Sequence, residues 1–431
     1  MDLKRLAFLL LCFSTPLRAE NSDTQRALLG IDSYHAWIQT SLKAIEADLP
    51  AITTSAEAAA KAYLQDDWQI VASGDFGVVG EAVGRSGGMM RFRWGSPIKD
   101  YVKGPEGRVV FLALREDNYE EYLAQALKTF STDSAFVVLM GPRKLLDRAK
   151  ADGFPMAAAI ENHSAPGEGL FADGEGVSVV ATSPVANVPT LWAWTAEFVS
   201  ACTREGKMPV MYQSYAVPGA KERAERLKDI RFEEAVPPPI PAGVLGRSFL
   251  QAAAAGMETF YQNERTNLAA VAVKAFETKK TGQVVYAFLH GHSIGMQQLA
   301  VPGSPNFFTQ VNSGWFEQDK KITLEKGDFV FCVGYAARFH DNEYKQWDVT
   351  ARQSGATLAW SFTDYQKDDV EAVKAAGELW VNQHWAYGDA VVVVPGLDFK
   401  LFPTSGLIAQ AVIRLVEAGI YGLNQPADWK P

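Results

Sequence analysis

The fold is decided by Gln283-Val-Val-Tyr-Ala-Phe-Leu289, the glycine turn Gly291-His-Ser-Ile-Gly295 that follows it, and the next apolar run, Gly327-Asp-Phe-Val-Phe-Cys-Val-Gly334. Runs this short and this continuously apolar, bounded by glycines, read as strands buried on both faces, as in a parallel sheet covered by helices. The same phrase occurs earlier in the chain. Trp68-Gln-Ile-Val-Ala-Ser73 leads into the turn Gly74-Asp-Phe-Gly77, and Gly107-Arg-Val-Val-Phe-Leu-Ala-Leu114 comes next. A helical region precedes each copy, at 34–64 and at 246–278. After it come a helix near 119–129 or 343–353 and a further strand, Ala135-Phe-Val-Val-Leu-Met140 or Ala356-Thr-Leu-Ala-Trp360. Each copy is expected to close with one more apolar strand, 177–181 or 390–394, and a long helix, about 190–204 or 407–418.

This order predicts an α/β protein of two tandem, doubly wound, flavodoxin-like domains with parallel sheets. Pro237-Pro-Pro-Ile-Pro241 marks the seam, giving a first domain over 20–236 and a second over 237–431. Residues 1–19 are set apart. Lys4 and Arg5 precede the apolar run Leu6 to Phe13, with Pro16 and a cleavage point after Ala19, the layout of a secretory signal peptide. The run is too short to span a bilayer, which takes about 20 apolar residues, and Leu11 is too large for the position ahead of a lipidated Cys12. The chain is therefore expected to be exported, periplasmic or secreted, with no membrane anchor.

With 48% hydrophobic and 21% charged residues in 431, the composition is that of a well-packed globular protein. A net charge of -9 without a basic stretch argues against nucleic acid and anionic membranes as partners. Cys12 would leave with the signal; Cys202 and Cys332 form no disulfide framework, and Cys332 sits in an apolar run where cysteine packs as a small hydrophobe. No cofactor is implied and no metal site is expected, since His290 and His292 have no Cys or carboxylate at ligand spacing. Self-association is left open.

Each half resembles a sugar isomerase (SIS) domain, the fold of phosphosugar isomerases and phosphosugar-binding regulators. Gly291-His292-Ser293 stands where that family carries a Gly-Asn-Gly-x-Ser loop, and Gly388-Asp-Ala-Val-Val-Val-Val-Pro395 with Phe402-Pro-Thr-Ser-Gly-Leu-Ile-Ala-Gln410 resembles its closing strand and final helix. The resemblance implies a small sugar or sugar derivative as ligand, held beyond the C-terminal ends of the strands. It has one departure. The family's phosphate loop is rich in Ser and Thr, whereas the matching positions here read Gly334-Tyr-Ala-Ala-Arg-Phe-His-Asp-Asn-Glu343 and Leu114-Arg-Glu-Asp-Asn118. Neither is a hydroxyl cradle, and their acidic residues repel phosphate, although Arg338 has the planar fork of an anion partner.

The candidate ligand-binding residues are accordingly Gly291, His292, Ser293, Tyr335, Arg338, Thr404 and Ser405, with Thr404 and Ser405 equally readable as helix caps. His340 and Glu343 are the candidate catalytic residues, because moving a proton between adjacent carbons suits an imidazole or a carboxylate. The first half, with Asp75 and Phe76 at its turn, is expected mainly to wall the cleft. Three functions fit: an exported carbohydrate-binding protein, an isomerase-type enzyme working by proton transfer, or a serine hydrolase using Ser293 with Asp364 and His384. The G-x-S-x-G spacing favours the last; Phe76 in the matching turn, and His384 ahead of the 390–394 run, count against it.

Overall fold

The computed structural model describes residues 3–65, 68–95, 108–129, 135–291, 293–296, 299, 306–312, 323–334, 349–365, 367–426 and 428–429, with side chains from 22 onward except those of 125–129 and 296. The first half contains α1 (Leu3–Ala47), α2 (Leu49–Tyr63), β1 (Gln69–Gly74), α3 (Phe76–Ala82), β2 (Phe92–Trp94) and β3 (Arg108–Ala113). It continues with α4 (Tyr119–Thr129), β4 (Ala135–Gly141), α5 (Arg143–Ala151), β5 (Ala158–Glu161), β6 (Gly169–Ala172), β7 (Ser178–Ala181), α6 (Ser183–Arg204) and α7 (Ala220–Leu227). The second half contains α8 (Val244–Lys280), β8 (Val285–Leu289), α9 (Ser293–Met296), β9 (Thr309–Asn312), β10 (Phe329–Val333), β11 (Thr357–Phe362), α10 (Lys367–Ala375), β12 (Leu379–Asn382) and α11 (Ser405–Asn424).

Two five-stranded sheets result, ordered β2-β1-β3-β4-β5 and β9-β8-β10-β11-β12, and every pairing within them is parallel. The strand order is the same in both. Because alternate strand residues face opposite sides, each sheet has an inner and an outer core. Val109, Phe111 and Ala113 of β3, and Phe329, Phe331 and Val333 of β10, face one continuous inner core. Val110 and Leu112 pack outward with Tyr119 and Leu145, while Val330 and Cys332 pack outward with Tyr286 and Trp360. Between the sheets lies a helical layer in which α1 packs on α8 and α11, α2 on α6, and α8 on both α6 and α11. Trp192 and Trp194 of α6 are fully buried there, each removing from water the large apolar area that makes aromatics dominant in cores. The long helix expected over 34–64 is interrupted at Asp48, and Pro50 opens α2 within its first turn, a position where the missing N–H of proline costs nothing.

The closing strands are corrected. Residues 178–181 pair antiparallel with β6 in a separate two-stranded ribbon, and within 390–394 only Val392 makes a bridge, to Leu401. The fifth strands are β5 and β12 instead, segments of four residues that are too short to stand out. The edge strands β2 and β9 escaped the sequence reading for the same reason.

Among the described residues, the six non-glycine residues with positive φ fall into three matched pairs: His163 and His384 (55° and 53°), Glu168 and Asp389 (60° and 44°), Val180 and Phe402 (61° in both). Val180 and Phe402 each stand three residues ahead of the serine that opens the closing helix, Ser183 or Ser405. Left-handed backbone is uncommon for such side chains, so its recurrence at matched stations marks the same local path in both halves.

Candidate functional site

The site is built where the two halves meet at their strand ends. Gly74 ends β1 at φ 95°, and a Cβ there would lie 1.9 Å from the Ala113 carbonyl oxygen, so only glycine lets β1 turn against β3. Asp75 then caps α3, its carboxylate accepting the Val78 N–H at 3.1 Å. In the second half β8 ends at Leu289, the His290 N–H donates to the Val333 carbonyl at 2.9 Å, and Ser293 opens α9. Helices α3 and α9 pack against each other. This brings Glu81 and Arg85 of the first half to a small cleft also lined by His290, Gly291, Ser293, Ile294, Gly334, Ser405, Gly406 and Ala409.

At its floor is a buried ionic network. Arg85 donates through Nη2 to Asp389 at 2.7 Å and through Nε to Glu81 Oε1 at 3.2 Å, and it touches Ser405 Oγ. Asp389 in turn accepts the Ser405 N–H at 3.0 Å and the Ser405 hydroxyl at 2.7 Å. Trp192 Nε1 donates to Glu81 Oε1 at 2.9 Å. All five side chains are essentially excluded from solvent. Burial pushes the Glu81 carboxyl above the ordinary carboxylate range, against the opposing pull of Arg85 and the Trp192 hydrogen bond. Glu81 Oε2 is buried without a hydrogen-bond partner.

Of the residues the sequence singled out, Gly291, Ser293 and Ser405 line this cleft. Thr404 is the residue before α11, buried, with no side-chain cap bond; the capping expected of Thr404 and Ser405 is supplied by Asp389. His292, Tyr335, Arg338, His340 and Glu343 lie outside the described residues. The segment carrying the last four leaves directly from Gly334, a cleft residue. Sequence reasoning missed Glu81, Arg85 and Asp389. The available signal was Glu81 itself, the one charged residue in Phe-Gly-Val-Val-Gly-Glu-Ala. The first half does more than wall the cleft: it supplies two of its charged groups.

The proposed hydrolase triad does not form. Ser293 Oγ accepts from Gln410 Nε2 at 2.9 Å, whereas His384 has Nε2 at 2.8 Å from Glu264 and Nδ1 at 3.4 Å from Asn382.

At the matching place in the first half, Glu168 fills the strand-end space. Its carboxyl group accepts the Glu116 N–H at 2.9 Å and the Ser183 hydroxyl at 2.9 Å, near Arg115, which pairs with Asp75 and Asp117. Burial raises the Glu168 carboxyl above its usual range despite these bonds. Elsewhere Asp48, Glu161 and His163 converge within 4.8 Å, and Arg143 pairs with Glu161 at 2.5 Å.

No protein-family model matches the sequence, and no curated protein matches it. Several solved structures are similar in overall arrangement. The C-terminal domain of glucosamine-fructose-6-phosphate aminotransferase from Francisella tularensis is 10% identical, with 90% of this chain and 98% of that one covered, at a TM-score of 0.43. Tagatose-6-phosphate ketose/aldose isomerase from Escherichia coli is 11% identical, covering 91% and 90%, at 0.41. Glucosamine-6-phosphate deaminase from Thermotoga maritima is 11% identical, covering 89% and 97%, at 0.38. At such identities and scores no function follows from the likeness, and the chemistry of the cleft rests on its own residues.

Proposed function

We propose that this is an exported carbohydrate-binding protein that takes a non-phosphorylated sugar or sugar derivative in the cleft between its halves. The observation that carries the reading is Asp389, whose carboxylate already occupies the N-terminus of α11, accepting both the N–H and the hydroxyl of Ser405. A helix N-terminus beside an arginine is where an anion binds. Here the chain's own carboxylate fills that place and neutralises Arg85, so a phosphate arriving there meets a fixed negative charge. The cleft is polar where Glu81, Arg85, His290, Ser293 and Ser405 line it, the kinds of group that hydrogen-bond a polyol. The common ancestry of the halves by tandem duplication belongs to the same proposal, supported by their shared strand order and paired left-handed residues.

The test is a thermal-shift and calorimetric screen of neutral, amino and phosphorylated monosaccharides. The reading expects stabilisation by one or more unphosphorylated sugars and none by their 6-phosphates; a preference for the phosphates overturns it. A second reading, isomerase-type proton transfer, is favoured by the raised affinity of Glu81 for a proton beside His290. His340 and Glu343, on the segment leaving Gly334, are further proton carriers under that reading. Solvent deuterium entering the carbon next to the sugar carbonyl supports catalysis; binding without exchange leaves the protein a binder.

A further inference from the structure

We infer that His163 and Glu161 bind a divalent transition-metal ion of the zinc class, with Asp48 holding the imidazole in position. The site stands at the end of β5 in the first half, and it does not depend on the sugar-binding reading above.

The starting point is how the His163 ring is used. Its Nε2 lies 2.9 Å from Asp48 Oδ2. A carboxylate only accepts, so Nε2 carries the proton, and in the neutral ring the lone pair is then on Nδ1. That nitrogen faces a second acceptor, Glu161 Oε1, at 3.8 Å. Among the described residues neither atom receives a hydrogen bond: Arg143 meets the other Glu161 oxygen, Oε2, with Nε at 2.8 Å and Nη2 at 2.5 Å. The backbone around the ring is held as well. Ser41 donates its hydroxyl to the His163 carbonyl at 3.3 Å, and the Asn162 side chain accepts the Ser164 N–H at 3.1 Å.

The second half carries the same ring with a different neighbour. His384, at the matched left-handed station, also places Nε2 by a carboxylate, Glu264, at 2.8 Å. Its Nδ1, however, lies 3.4 Å from the amide nitrogen of Asn382, whose oxygen is committed to the His384 N–H at 3.1 Å. There the lone pair meets a donor. In the first half a carboxylate oxygen faces it instead, and two acceptors turned toward each other call for a cation between them. A zinc ion about 2.1 Å from each ligand, at a tetrahedral angle, sets the ligand atoms about 3.4 Å apart. The pair at 3.8 Å reaches that by closing a few tenths of an ångström. Imidazole nitrogen with carboxylate oxygen suits zinc better than magnesium or calcium, which take oxygen ligands. The Asp48 bond to Nε2 supplies the carboxylate that fixes ring orientation and tautomer at histidine metal sites. Both ligand side chains are partly exposed, so water completes the coordination.

The experiment is titration calorimetry of the full chain, first stripped with a chelator, against zinc chloride and separately magnesium chloride, with Glu161→Gln and Asp48→Asn alongside. The wild type is expected to take up zinc and not magnesium. Glu161→Gln offers Nδ1 an amide of the kind that Asn382 offers His384, so it should fold and lose the tightest zinc equivalent. Asp48→Asn keeps both ligands and should weaken that equivalent at least about tenfold. No zinc uptake by the wild type means that a proton, and not a metal, lies between Nδ1 and Oε1, and overturns the proposal. Undiminished zinc binding in Glu161→Gln does the same by placing the ion elsewhere, and magnesium bound as tightly as zinc overturns ligation by the imidazole. If Glu161→Gln does not fold, Asp48→Asn decides: a zinc affinity equal to that of the wild type overturns the site.

Discussion

Glu168 and Asp389 hold the same station in the two halves. Each follows a left-handed glycine, Gly167 or Gly388, each is itself left-handed, and each reaches the serine opening the closing helix, at 2.9 Å to Ser183 Oγ and 2.7 Å to Ser405 Oγ. A buried acidic side chain in an unusual backbone conformation, twice, at the place where a helix N-terminus would otherwise draw an anion, is a device for keeping that place filled.

Removing the Asp389 carboxylate should therefore have two separable effects. Asp389→Ala removes the nearer of the two carboxyl groups that Arg85 meets among the described residues, and loss of one partner of such a pair costs about 3–5 kcal/mol; urea denaturation should show a loss of that size. Asp389→Asn, which tolerates the left-handed backbone, should cost less and create affinity for inorganic phosphate, read as a thermal shift absent in the wild type. A wild type that binds phosphate at Ser405, or a folded Asp389→Asn that ignores it, would show that the carboxylate does not keep anions out.

The second prediction concerns pH. Glu81, Glu168 and Glu417 all have carboxyl groups raised by burial. The folded state therefore holds protons that the unfolded chain has released above about pH 4.3. With more protons bound when folded, stability falls as pH rises from the unfolded value through the raised one. His35, lowered by burial, acts oppositely, binding fewer protons when folded, so its contribution is lost as pH drops below about 6.5. The clean measurement is the difference between wild type and Glu81→Gln from pH 5 to 8. The wild type should lose more stability with rising pH, and parallel curves would refute a raised Glu81.

How much of this was legible in advance divides by physics. The strands β1, β3, β4, β8, β10 and β11 announced themselves, because burial on both faces makes them continuously apolar. The fifth strands did not: Ala158–Glu161 and Leu379–Asn382 are four residues each and owe their place to pairing with β4 and β11. The apolar runs at 177–181 and 390–394 drew the eye instead, but left-handed Val180 and Asp389 stop them from extending a parallel sheet. For the site, Gly291, Ser293 and Ser405 could be placed from strand-end logic. Glu81, Arg85 and Asp389 could not, since their meeting depends on α3 packing across to α9 and α11, a contact between halves that no local pattern encodes.

Ser293 gives a third prediction. Its hydroxyl is buried and engaged with Gln410, and the ring nitrogens of His384 are engaged with Glu264 and Asn382. A fluorophosphonate probe should leave the protein unlabelled, and Ser293→Ala should cost about 1–3 kcal/mol, because it leaves the buried Gln410 amide without that acceptor. Stoichiometric labelling lost in Ser293→Ala would restore the hydrolase.

Export makes the last prediction, and the helical layer sharpens it. Helix α1 runs from Leu3 to Ala47, so the expected cut after Ala19 falls inside a helix that also belongs to the core. The buried hydrophobic side chains described on α1 begin at Ala27 and continue through Ile31, Tyr34, Ile38, Leu42 and Ile45. Arg26 anchors the same stretch by donating to the Leu423 and Gln425 carbonyls at the end of α11, at 3.0 Å each. Cleavage after Ala19 spares every one of these contacts, and a shortened helix end simply exposes backbone groups to water, which satisfies them. Protein recovered from its host should therefore begin near Glu20 and be released with the extracytoplasmic fraction. Chain 20–431 should match the melting temperature of the full chain, since changes remote from the core stay within about 0.5 kcal/mol, whereas chain 32–431, stripped of Arg26, Ala27 and Ile31, should melt well below both. An intact Met1 on the isolated protein, or a clear loss of stability in chain 20–431, would mean that residues 1–19 belong to the folded protein and are not a signal.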